Sequence, residues 1–72
     1  MNDTAYVYFF IPLSDDEENQ NFVTVWSDIK NELYAYRLAH KAGGPNTYLA
    51  DMMPMPYPNE MTLPCVMVEV AQ

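Results

Sequence analysis

Only three of the 72 residues are basic against ten acidic ones, and the formal net charge is −7. Affinity for DNA or RNA comes largely from Lys and Arg displacing condensed counterions, so this balance argues against direct nucleic-acid binding. The single cysteine, Cys65, cannot form an internal disulfide, which fits a reducing compartment and a cytoplasmic protein. Gly43 and Gly44 are the only glycines, too few for the P-loop or dinucleotide fingerprints, which need several at fixed offsets. One His and one Cys do not make a structural zinc site, and the acids at 15–18 lack the spacing and turn glycine of an EF-hand loop. No metal or cofactor is therefore expected. The longest apolar run, 5–13, is too short for a transmembrane helix, and it follows Asp3 rather than a positive charge, so it does not read as a signal peptide.

Half of the residues are apolar and 14% are aromatic, enough for a folded chain despite the charge. The length allows one domain over 1–72. A chain this short buries only about 60% of its unfolded surface, a gain that roughly cancels the ordering cost. Help from self-association or from a partner is expected.

Ala5 to Ile11 is rich in aromatic and β-branched residues and is stopped by Pro12, the pattern of a strand. Ser14 with Glu17 has the form of a capping box, and Asp15, Asp16, Glu17 and Glu18 suit the positive end of a helix dipole. Phe22, Val25, Trp26, Ile29, Leu33 and Tyr36 recur at three and four, which predicts a helix through this region, starting at Asp15 or near Asn21. Gly43-Gly44-Pro45 ends it. Thr47 to Met53 is a weaker strand, and the prolines at 54, 56 and 58 read as a stiff extended loop. From Thr62 to Val70 a strand pattern returns, with Pro64 at its start or on an edge. The expected fold is α+β in the order β-α-β-β: a small antiparallel or mixed three-stranded sheet with one helix packed on one face.

One helix covers one face of such a sheet and leaves the other open for association. With Val7, Phe9, Ile11, Val66, Val68 and Val70 placed beneath the helix, the open face carries Tyr6, Tyr8, Phe10, Cys65, Met67 and Tyr48. Exposed surface of that kind marks a contact site. Reversed faces, or a fold-back of the Met-Pro segment over the open side, would remove it. Within that segment Met55 and Tyr57 are candidate contacts on a pre-stiffened loop, with a plain connector as the alternative.

All three cations, Lys30, Arg37 and Lys41, fall on one flank of the expected helix beside Tyr34. This flank could hold a small anion such as a nucleotide, or simply be a solvated face near the helix C-terminus. His40, the only histidine, falls in the last turn; paired with Cys65 it would need a third orienting group that the chain does not offer. No catalytic residue is assigned.

In size, charge and composition the chain is similar to compact acidic inhibitors encoded by bacteriophages, some of which block nucleic-acid-binding defence enzymes. No motif carries that similarity, so it transfers no residue roles. It implies a non-enzymatic protein, in the host cytoplasm if viral, that binds and inhibits another protein, one with a basic surface. On this reading the contacts are Tyr6, Tyr8, Phe10, Asp15, Asp16, Glu17, Glu18, Met55 and Tyr57, and the protein is a homo-oligomer. The competing readings are a nucleotide- or anion-sequestering protein using Lys30, Tyr34, Arg37 and Lys41, and a small structural subunit of a larger assembly.

Overall fold

The computed structural model describes residues 3–13, 21–43 and 45–70. Strands β1 (Thr4–Pro12) and β2 (Asn21–Ser27) precede helix α1 (Glu32–Ala42), and β3 (Thr47–Pro56) and β4 (Cys65–Val70) follow it. The strands form one antiparallel sheet in the order β3-β1-β2-β4. The fold is α+β with one helix on the sheet, as expected, but the sheet has four strands rather than three.

The additional strand is β2, where the spacing of Phe22, Val25, Trp26 and Ile29 predicts a helix. The same residues also obey a period of two: Val23, Val25 and Ser27 are buried, while the residues between them are partly or largely exposed. A run of Phe-Val-Thr-Val-Trp favours the extended form because branched and aromatic side chains lose rotamer freedom against a preceding helical turn. The helix starts ten residues later, capped by Asn31, whose Oδ1 accepts from the Tyr34 N–H at 3.1 Å. The proposed capping box at Ser14 and the acids at 15–18 lie outside the described residues. Gly43 ends the helix as expected, at φ 143°, and donates its N–H to the Ala39 carbonyl.

β3 runs on through Pro54 and Pro56, where a loop was expected. It is an edge strand. Because Tyr57 N–H donates to the Asp3 carbonyl at 3.1 Å, odd-numbered residues at this end of β3 face β1 and even-numbered ones face outward. Both prolines thus sit where no ladder donor is needed. A register shift between Phe9 and Phe10 marks a bulge that takes in Ala50.

On β1 the expected faces are reversed, whereas on β4 they hold, with Val66 on the helix side and Cys65 and Met67 on the other. Tyr8, Phe10, Val23 and Val25 form the core with Ala35 and Ala39 of the helix, and Tyr6, Tyr36, Leu38, Leu49, Met52 and Val66 pack against it. The two helix alanines let the backbone approach the sheet, and large rings of β1 fill the space beneath. Phe10 and Tyr36 meet edge to face with centroids 4.9 Å apart. On β1, Tyr6, Tyr8 and Phe10 thus lie beneath the helix, whereas Val7 and Phe9 point the other way.

Candidate interaction surface

The register places Ala5, Val7, Phe9 and Ile11 of β1 on the helix-free face, with Phe22, Thr24 and Trp26 of β2. From the outer strands it adds Tyr48, Asp51, Met53 and Met55, and Cys65, Met67 and Glu69. This face is not open throughout. Ala5 and Val7 are buried, Val7 to 2% exposure, although no helix lies over them. The segment 57–64 joins β3 to β4 at opposite edges of the sheet and must pass this end of β1 and β2; its Tyr57, Pro58, Met61 and Leu63 are half-buried.

Other positions on the face are exposed. Phe22 is 40%, Met53 38% and Met67 46% exposed, with Tyr48 also exposed and Trp26 and Phe9 partly so. Asp51 on β3 and Glu69 on β4 stand on the same face at its two edges, and both are exposed. No strand contains a Lys or Arg. Asp51 lies beside Met53 on β3 and Glu69 beside Met67 on β4, with Phe9, Phe22 and Trp26 on the two strands between them.

Of the expected contacts, Tyr8 and Phe10 are therefore core residues and Tyr6 is half-buried on the helix side. Tyr8 ties the start of the helix to the sheet, because its hydroxyl accepts from the Asn31 N–H at 3.0 Å and points back to the Ile29 carbonyl at 3.4 Å. Burial raises its pKa above the usual 10.0, the Asn31 bond opposing, with smaller upward effects from Tyr6 and Glu32. Met55 is half-buried within β3, and Tyr57 continues the β1–β3 ladder one step beyond the strand. Asp15, Asp16, Glu17 and Glu18 lie outside the described residues.

The four residues of the anion-binding reading are divided. Lys30 precedes the helix instead of lying on it, and lines a cleft of about 240 Å³ with Tyr8, Glu32, Leu49 and Met52. Tyr34 and Arg37 line a separate cleft of about 270 Å³ with Asn31 and Leu33. Lys41 shares their helix flank by its spacing. His40 ties the end of the helix to β3: its Nε2 donates to the Thr47 carbonyl at 3.1 Å and its ring stands against Tyr36. It sits against β3 while Cys65 opens β4, so the fold puts them at opposite edges of the sheet. Among the described residues no three metal-binding side chains gather, and no helix is long and apolar enough to cross a membrane.

Sequence spacing misses Phe22, Trp26, Met53, Asp51 and Glu69 as members of one surface. A period-two reading of 21–27 would have found the first two. Asp51 and Glu69 become a pair only through a strand order that local patterning does not encode. Comparison with known proteins yields no match to a family model, to a curated protein or to a solved structure.

Proposed function

We propose that this chain is a small non-enzymatic interaction protein that binds another protein through the helix-free face of its sheet and inhibits it by covering a basic surface. The observation that carries this reading is the segregation of charge and apolar area. The strands contribute two carboxylates and no cation, and those carboxylates stand at the two edges of a face on which Phe22, Met53 and Met67 are exposed. Such a face meets a basic surface with complementary sign while its centre supplies desolvated contact. A partner that uses its basic surface to hold nucleic acid would lose that function when covered.

The test begins with recovery of the partner by the tagged protein from its native host lysate at low salt, followed by titration with the purified partner. Replacing Phe22 and Met67 together by Ser should weaken the complex roughly tenfold or more while the circular dichroism spectrum is retained. Raising salt should also weaken it, because the charged rim is screened. Replacing Arg37 and Lys41 by Ala should leave affinity unchanged. A complex that survives the face variant, or is lost with the helix variant, rules out this surface.

A further inference from the structure

The two edges of the sheet are built differently. At the outward-facing positions of β3 the donors are spent or missing. Leu49 N–H is given to the Tyr36 hydroxyl at 2.9 Å and Met52 N–H to Asp51 Oδ1 at 2.8 Å. Pro54 and Pro56 have none, and the Thr47 carbonyl already accepts from His40. An incoming strand would find few groups to pair with.

β4 has no such protection. Odd-numbered residues of β1 bond toward β3, as the Asp3–Tyr57 contact fixes, so its even-numbered residues bond toward β2. The partners of those residues, Val23, Val25 and Ser27, face β1, which leaves Phe22, Thr24 and Trp26 facing Glu69, Met67 and Cys65. The outward N–H and C=O groups of β4 therefore belong to Val66, Val68 and Val70. Among the described residues no side chain caps them. The strand holds one charge and no proline, and Met67, Val68 and Val70 are exposed. It combines open backbone groups with apolar side chains, the features that edge strands of monomers avoid.

We infer that β4 pairs antiparallel with β4 of a second copy, joining two four-stranded sheets into one continuous sheet across a two-fold axis at Val68. Three features select a second copy. Residues opposite one another must share a face, which restricts the axis to a residue rather than a peptide bond. With the axis at Val68, Val66 meets the second copy's Val70 and Val68 meets its own counterpart, so every outward group of the three valines is paired. In that register Glu69 stands opposite Met67 rather than opposite the second copy's Glu69, so the only charges on the strand avoid each other. Finally, the blunted β3 edge blocks head-to-tail addition and leaves a closed dimer as the end point.

The test is sedimentation equilibrium over a range of concentrations with amide hydrogen exchange on the same samples. A dimer of twice 8.3 kDa is expected. The Val66, Val68 and Val70 amides should become protected as concentration rises, while the Leu49 and Met52 amides stay unchanged. Val68→Pro removes the central outward donor from each copy without removing a bond to β2, and should weaken the dimer roughly tenfold or more. Because each copy carries −7, added salt should tighten the dimer, the opposite of its effect on a basic partner. Exchange in the parent protein decides the question even if the proline variant fails to fold. A monomer throughout, or a dimer whose three valine amides exchange as fast as in dilute solution, overturns the inference.

Discussion

Replacing Phe10 and Phe22 separately by Ala gives opposite answers depending on which face the helix covers. In the structure Phe10 is 1% exposed, belongs to the core cluster and meets Tyr36 at 4.9 Å, whereas Phe22 is 40% exposed on the other side. Deleting a fully buried phenyl ring removes its transfer energy and leaves a cavity, together about 3–5 kcal/mol. A chain of 72 residues has about 4–11 kcal/mol of stability in total, so Phe10→Ala consumes a large share of it. With a urea dependence of about 1 kcal/mol per molar, the midpoint falls by about 3–5 M and the variant is at the limit of folding. Phe22→Ala loses only partly buried area, about 1 kcal/mol, for a midpoint change near 1 M. Urea titration followed by circular dichroism gives both numbers. If Phe22→Ala is the more damaging, the helix lies on the other face and the surface argument fails with it.

Two further stability predictions follow from single contacts. Tyr8→Phe removes one acceptor from the Asn31 N–H, which keeps the Ile29 carbonyl at 3.0 Å as a second, so the cost in the same titration should be about 1 kcal/mol. The folded protein holds the Tyr8 proton more tightly than the unfolded chain does. That contribution is complete below pH 10 and is lost as the pH rises through the raised folded value, so the urea midpoint should fall in alkaline solution, less so in Tyr8→Phe. Gly43→Ala should cost about 1–3 kcal/mol by thermal or urea unfolding, through backbone strain at φ 143°. An added Cβ would meet Asn21 Nδ2 and Val68 no closer than 3.7 Å, so a null result would mean that the helix end relaxes freely.

Much of the local structure is legible in the residues. β1 is announced by its aromatic and branched run and stopped near Pro12, the helix ends at Gly43, and β4 follows Pro64. The failures have physical causes. Between Phe22 and Ile29 the apolar positions satisfy periods of both two and 3.6, and only sheet partners on either side decide between them. Both faces of β1 are apolar, so alternation alone cannot say which lies beneath the helix; the small Ala35 and Ala39 opposite large rings carry that information. Pro54 and Pro56 read as loop because edge placement, which makes them compatible with a strand, is a property of the whole sheet. The expectation of an apolar uncovered face survives in part: Met67 and Tyr48 are exposed on it as expected, and Phe22 and Met53 stand in place of Tyr6, Tyr8 and Phe10.

Oxidative footprinting of the methionines in the free protein and in the purified partner complex addresses the contact face most directly. Met53 and Met67 are exposed on it, and Lys41 on the helix supplies an acetylation control away from it. The account predicts that Met53 and Met67 oxidise readily in the free protein and are protected in the complex, with Lys41 modified equally in both. Methionines that oxidise at the free rate in the complex while Lys41 becomes protected would contradict it.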